Sequence, residues 1–169
     1  MYLCYLFSRF YRHAETQKAV LRRQLQMALD LQLPLVLHCR DAYDDCLIIL
    51  KEMVPRTWRI HLHCFCGNME VADIWMDTFP NLYIGLTPVI TYRSAYDSIN
   101  SARHIPLNRL LLETDSPYFV PGSIKESKVH VSHPGLTLFT AERLAELKNV
   151  TVDTVLYNCR MNTRMMYNI

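Results

Sequence analysis

Short apolar runs alternate with amphipathic segments along most of this chain. Between Glu15 and Leu31, apolar side chains recur every three or four residues, which predicts a helix with one buried face. Spacing and end signals of this kind predict helices over 15–31, 42–53, 68–78 and 94–103. Compact apolar runs predict strands over 34–38, 59–64, 82–86 and 109–113.

The order of these elements predicts an α/β fold. Strand and helix alternate without interruption, which indicates a parallel sheet with helices packed outside it. The Leu-Val-Leu run after Pro34 is typical of a strand covered on both faces. Residues 118–134 predict a long loop, and two final helices begin near Pro134 and Thr151. Asp41 and Asn68 are expected to cap helices.

The composition of the chain limits its possible domain number, partners and compartment, but it does not indicate a function. The chain has 169 residues, half of them apolar, which fits one folded domain. A net charge of +2 is too small to indicate a nucleic-acid partner by itself. The six cysteines are irregularly spaced, which predicts free thiols in a reducing compartment. No apolar run approaches the ~20 residues of a membrane helix, so no membrane partner is expected.

The first fourteen residues allow two interpretations. They contain Arg9 and Arg12 but no acidic residue, as a mitochondrial targeting segment does. A strand and loop belonging to the fold is the favoured interpretation. We therefore expect a cytoplasmic or nuclear protein, with mitochondrial targeting as the alternative.

Candidate chemistry lies where three predicted strands end. His38, His63 and Asp115 each follow an apolar run. Because active sites of parallel sheets lie at the carboxyl ends of the strands, we expect these side chains to meet. A single histidine at a strand end is usually structural, but three matching positions favour a site. Imidazole and carboxylate groups suit Zn²⁺, Mn²⁺ or Mg²⁺.

Two further residues extend this site. Glu113 lies two residues before Asp115, so both side chains point to the same face of a strand. It is a candidate ligand, supporting residue or general base, and the alternative is a buried carboxylate paired with Arg40. Arg40 could also bind a phosphate through both guanidinium nitrogens. His61 forms an H-x-H pair with His63, and it is the less favoured metal ligand.

Side chains next to the predicted ligands suggest a nucleic-acid substrate. Phe65 and Tyr118 could stack on bases, with packing in the core or at the rim as an equal alternative. Cys64 and Cys66 form a C-x-C pair, which without a second pair favours packed thiols over a metal site.

Several spaced motifs resemble the TatD family of metal-dependent deoxyribonucleases. They are Pro-Leu-Val-Leu-His-Cys-Arg-Asp-Ala from Pro34, His-Cys-Phe-Cys-Gly from His63, Tyr-Ile-Gly from Tyr83 and Glu-Thr-Asp-Ser-Pro-Tyr from Glu113. Their number and order make the resemblance specific. The H-x-H-C-F variant is similar to the vertebrate TatD-domain-containing type. The resemblance covers 15–169 and leaves 1–14 as a divergent N-terminal segment.

The resemblance implies both a fold and an activity. The family has a TIM-like (β/α) barrel and hydrolyses phosphodiesters with one or two divalent metals, Mg²⁺ first and Mn²⁺ or Zn²⁺ as alternatives. By resemblance His38, His63 and Asp115 match metal ligands, and Glu113 is a candidate ligand or base. The implied substrate is DNA, single-stranded or at 3′ ends, trimmed in the 3′–5′ direction, with RNA as a further substrate.

The chain also departs from the family pattern. The H-x-H of the first barrel strand and the following Gly-Glu-x-Gly-Leu-Asp segment have no counterpart here. The resemblance therefore implies a partial barrel lacking its first strands, with an open sheet edge where a second copy could associate. The corresponding expectation is an N-terminally truncated chain with weak nuclease activity. The alternatives are an inactive truncated isoform and a related amidohydrolase that acts on C–N bonds through His61 and His63.

Overall fold

The fold was analysed in a computed structural model that describes residues 2–6 (backbone only), 13–124 and 129–169. Its strands are β1 (Tyr2–Leu6), β2 (Leu35–Arg40), β3 (Ile60–His63), β4 (Leu82–Leu86) and β5 (Leu110–Leu112). Its α-helices are α1 (Ala14–Asp30), α2 (Tyr43–Met53), α3 (Met69–Thr78), α4 (Tyr96–His104), α5 (Thr137–Lys148) and α6 (Val152–Tyr167). The predicted elements are confirmed with boundaries that differ by a few residues.

The strands form one parallel sheet in the order β1-β2-β3-β4-β5. Parallel pairing follows from the helix that separates each strand from the next. The register places His38 on β2 opposite His63 on β3. β1 agrees with the interpretation of the N-terminus as strand and loop, whereas the predicted loop at 7–12 lies outside the described residues.

The main core lies between the sheet and the helices. Leu35, Leu37 and Cys39 on β2 are buried, whereas Val36 and His38 between them remain partly exposed. The expectation that β2 is fully covered on both faces is therefore wrong. Its second face is the less covered one, and it presents His38. This alternation leaves a histidine accessible within an otherwise apolar strand.

Helix ends agree only partly with the sequence expectation. The Asn68 side chain accepts a hydrogen bond from the Val71 amide at the start of α3, as predicted. The Thr151 hydroxyl caps α6 in the same way. Asp41 does not cap α2, because the cap position is Ala42 and Asp41 itself has a φ of 54°.

The last helix is tied to the last strand. The buried Asn162 amide donates to the carbonyl oxygens of Leu107 and Leu110, each at 2.8 Å. These bonds join α6, which continues to Tyr167, to the start of β5. None of the helices in the described part of the chain combines the length and apolar character needed to span a membrane. Five cysteines are free thiols: Cys39, Cys46, Cys64, Cys66 and Cys159.

Candidate metal centre

The three predicted ligands meet around His63. The rings of His38 and His63, side by side on β2 and β3, have centroids 5.6 Å apart. Asp115 follows β5, and its Oδ1 lies 2.9 Å from His63 Nε2. The carboxyl ends of three strands therefore deliver two imidazoles and a carboxylate to one place, as the sequence predicted.

Glu113 lies on the other side of the His63 ring. Its Oε2 is 2.5 Å from His63 Nδ1 and 3.0 Å from His61 Nε2. Its Oε1 accepts a hydrogen bond from the Cys64 backbone amide. The alternative in which Glu113 pairs with Arg40 is wrong, because histidines and an amide surround this carboxylate.

His61 belongs to the same cluster. Its side chain is only 7% exposed, and its Nδ1 lies 2.7 Å from the hydroxyl of Tyr167 at the end of α6. Ligand atoms of His61, His63 and Glu113 all lie within 4.8 Å of one another. Sequence reasoning gave His61 a small role and missed Tyr167. No local pattern marks that tyrosine, since the contact joins residues 106 positions apart.

Gly85 on β4 provides the space for this cluster. A Cβ atom at this position would collide with the carboxylate of Glu113 and with Nε2 of His61. Both side chains therefore approach the β4 backbone more closely than any other residue type would allow. The Tyr-Ile-Gly motif therefore contributes to the site through its glycine, which has no side chain to occupy this space.

The electrostatics of the cluster favour an ionised carboxylate pair around His63. Burial raises the pKa of Glu113, but the close contacts and charge of His61 and His63 outweigh this effect and hold the pKa at about 2. The pKa of Asp115 is lowered although burial opposes this, chiefly by its close contact with His63. Burial lowers the pKa of His63, yet Asp115 and Glu113 together raise it to about 10. Burial and the neighbouring His63 charge lower the pKa of His38.

Buried polar atoms test whether a metal fits here. Within the described ranges, His38 Nδ1, His61 Nε2 and Asp115 Oδ1 are buried and make no hydrogen bond with acceptable geometry. Unsatisfied buried polar atoms are rare in folded proteins, and a bound ion is one explanation for them. All are nitrogen or carboxylate oxygen donors, which suit Zn²⁺, Mn²⁺ or Mg²⁺. The chemistry of these atoms suits a divalent cation, and within the described ranges the one set of ligand atoms close enough together to share an ion is that of His61, His63 and Glu113.

The predicted substrate-binding residues have different surroundings. Arg40 is 72% exposed, and its nearest carboxylate, that of Asp41, is 3.8 Å away, so the guanidinium remains accessible. Tyr118 is 70% exposed. Phe65 is only 2% exposed and packs against Tyr43 with ring centroids 5.4 Å apart. Base stacking by Phe65 is therefore corrected to core packing, because its ring faces no solvent.

The C-x-C pair lies beside the cluster. Cys64 is buried and Cys66 is exposed. The neighbouring Cys64 thiol lowers the pKa of Cys66 to about 7. The prediction of packed thiols is therefore confirmed for Cys64 and wrong for Cys66.

Comparison with known proteins extends these observations. The sequence matches the family model described as TatD related DNase over residues 6–168. It is 42% identical over 153 residues to the human protein named 3′-5′ RNA nuclease TATDN2, a match that covers 90% of this chain and 20% of that protein. It is 32% identical over 155 residues to the Bacillus subtilis protein named uncharacterized metal-dependent hydrolase YabD, covering 92% of this chain and 59% of YabD. The chain thus spans less than two thirds of either relative.

A solved structure supports the same relationship. The TatD homologue YjjV of Escherichia coli K12 superposes with a TM-score of 0.85 and 25% sequence identity. The alignment covers 99% of this chain and 62% of the YjjV chain. The α/β architecture is therefore part of a TIM-like barrel, as predicted. Because the family model matches nearly the whole sequence, the chain belongs to the TatD related DNase family.

Proposed function

We propose that this chain is a metal-dependent phosphodiester hydrolase that trims DNA, and also RNA, from the 3′ end. The observation that carries the proposal is the convergence of His38, His63 and Asp115 on one end of the sheet. Its context is a chain of the TatD related DNase family. One relative is named as an RNA nuclease and another as a metal-dependent hydrolase, which supports this reaction class.

The residues divide into ligands and supports. His63 Nε2, His38 and Asp115 would hold a divalent metal, with Mg²⁺ favoured over Mn²⁺ or Zn²⁺. When bound, such a metal supplies Lewis acidity, which polarises the phosphate and lowers the pKa of a water. His63 must lose its Nε2 proton to bind, while Nδ1 keeps its proton toward Glu113.

Glu113 is better suited to orientation than to proton transfer. Both of its oxygens are engaged, by Cys64 on one side and by the histidines on the other. A pKa of about 2 also makes it a weak base. The carboxylate thus fixes the ring of His63 in the way that outer carboxylates fix metal-binding histidines.

Two exposed side chains would contact the substrate. Arg40 is the last residue of β2, two positions after His38, where its accessible guanidinium can neutralise a phosphate. The exposed ring of Tyr118 comes soon after Asp115, where it can stack on a base. These roles extend the earlier prediction for both residues, whereas Phe65 no longer belongs to this set.

Location and self-association complete the proposal. Free thiols at five positions suit a reducing compartment such as the cytoplasm or nucleus. A second copy of the chain could pair with an outer strand of the sheet, because β1 and β5 each have one neighbour among the described strands.

The test compares the chain with an Asp115→Ala variant on 3′-labelled single-stranded DNA and RNA. Loss of an outer metal-site partner typically costs about 10–100-fold, so removal of a ligand should lower the rate by about 100-fold or more. Mg²⁺ or Mn²⁺ should be required, and EDTA should abolish cleavage. Asp153→Ala, which removes an exposed carboxylate from α6, is the matched control and should cleave normally. Cleavage that survives EDTA or the Asp115 substitution would contradict the proposal.

A further inference from the structure

A line of contacts runs from the end of α6 to the metal centre. The Tyr167 hydroxyl lies 2.7 Å from His61 Nδ1, and His61 Nε2 lies 3.0 Å from Glu113 Oε2. Glu113 in turn contacts His63 Nδ1 at 2.5 Å. Tyr167 thus connects to a proposed metal ligand through two intermediate side chains.

We propose that Tyr167 is a positioning residue: its hydroxyl fixes the ring of His61, which holds the Glu113 carboxylate and so orients His63 for metal binding. The inference rests on the proposed metal-dependent activity and assigns to α6 a part in the site. It also gives His61 a supporting role in place of the ligand role that its spacing suggested.

Donor and acceptor chemistry determines how the line works. The Glu113 carboxylate can only accept hydrogen bonds, so each group facing it must present a proton. A tyrosine hydroxyl can donate to His61 Nδ1, and in the tautomer that accepts this bond the ring proton lies on Nε2, toward Glu113. The opposite tautomer would turn a lone pair toward the carboxylate. Tyr167 therefore selects the tautomer that attracts Glu113.

Packing shows that the arrangement is held from several sides. The His61 and Tyr167 rings also meet edge to face, with centroids 6.2 Å apart and planes at 87°. The approach of Nε2 to Glu113 lies off the axis of an ideal hydrogen bond, and Nε2 has no better partner within the described ranges. The β4 backbone at Gly85 lies close to both His61 and Glu113. Because the contact of Nε2 with Glu113 is not well aligned, the orientation of the His61 ring depends on the bond between its Nδ1 and Tyr167.

The test is calorimetric titration of Mn²⁺ into the metal-free chain and into Tyr167→Phe, which removes the hydroxyl but retains the ring. We expect about tenfold weaker Mn²⁺ binding in the variant, the low end for an outer partner of a metal ligand. Tyr157→Phe is the matched control, since Tyr157 is a 67% exposed tyrosine on the same helix. It should bind Mn²⁺ like the unaltered chain.

A second pair of variants separates positioning from general stability. His61→Leu should weaken Mn²⁺ binding as Tyr167→Phe does, and combining the two should add little. His61→Gln, which restores an amide donor toward Glu113, should recover part of the affinity. For nuclease activity, kcat should fall with KM unchanged, because neither residue touches the substrate.

Distinct results overturn the inference and the proposed function. Equal Mn²⁺ affinities for Tyr167→Phe and Tyr157→Phe would overturn the positioning role. A Tyr167→Phe chain with a lower melting temperature but unchanged Mn²⁺ affinity would overturn it too. Loss of a full equivalent of Mn²⁺ in His61→Gln would make His61 a ligand and also overturn it. A chain that binds Mn²⁺ but cleaves neither DNA nor RNA overturns the proposed function, and the affinity comparison still decides the role of Tyr167.

Discussion

Gly85 is the residue whose substitution should report most directly on the geometry of the site. A methyl group there would collide with Glu113 and His61. Overpacking of this kind typically costs about 1–3 kcal/mol, so Gly85→Ala should lower the free energy of unfolding by that amount. Displacing Glu113 should also weaken Mn²⁺ binding. Denaturant unfolding and calorimetric titration measure the two effects separately.

Gly135→Ala is the appropriate control for that substitution. A methyl group at Gly135 would meet the exposed ring of His133 at 3.0 Å, and that ring can move aside. Both stability and Mn²⁺ affinity should therefore change little. If the two alanine variants behave alike, the close approach at Gly85 does not matter for the site.

The sequence predicted which side chains lie close together where the direction of the strands determines their position. His38, His63 and Asp115 meet because parallel strands bring their carboxyl ends to one edge. The partner of Glu113 could not be predicted, since it depends on which rotamers fit beside Gly85. Tyr167 was missed because its contact spans 106 residues.

At the scale of elements, α6 depends on Asn162. Its amide donates to the carbonyl oxygens of Leu107 and Leu110, and its removal takes this donor away from the buried Leu110 carbonyl. Asn162→Ala should lower the free energy of unfolding by about 1–3 kcal/mol. Since α6 carries Tyr167, Mn²⁺ binding should weaken as well.

Thermal unfolding and Mn²⁺ titration of the Asn162 variant check both expectations. Asn158→Ala is the control, because Asn158 donates to the Thr154 carbonyl within the same helix. That variant should lose less stability and keep its Mn²⁺ affinity. An Asn162→Ala chain with unchanged affinity would show that α6 does not need this anchor to position Tyr167.

Prediction of elements was strong for periodic segments and weak for their ends. Helical spacing, compact apolar runs and end signals predicted each α-helix and strand from α1 to α6, with α4 displaced from 94–103 to Tyr96–His104. Asp41 failed as a cap because the turn after β2 puts it in the left-handed region, one residue before the cap. Such local geometry depends on how strand and helix meet, which periodicity does not encode.

At the scale of the whole molecule, the open edges of the sheet lead us to predict self-association. In the described part of the chain, the outer sides of β1 and β5 have no strand partner. Exposed strand edges are templates for pairing with another chain. We therefore expect the mass measured by analytical ultracentrifugation to rise with protein concentration.

Two proline variants in β1 can locate this contact, because proline removes one backbone donor. Neighbouring residues of a strand direct their amides to opposite edges, so one of Cys4→Pro and Tyr5→Pro removes an outward donor and the other an inward donor. An amide that faces away from β2 makes no bond within the sheet, so the variant that loses it should be as stable as the unaltered chain. That variant should remain monomeric at all concentrations. If the stable variant still associates, β1 is not the contact, and pairing through β5 becomes the explanation. A chain that is monomeric without substitution would refute self-association altogether.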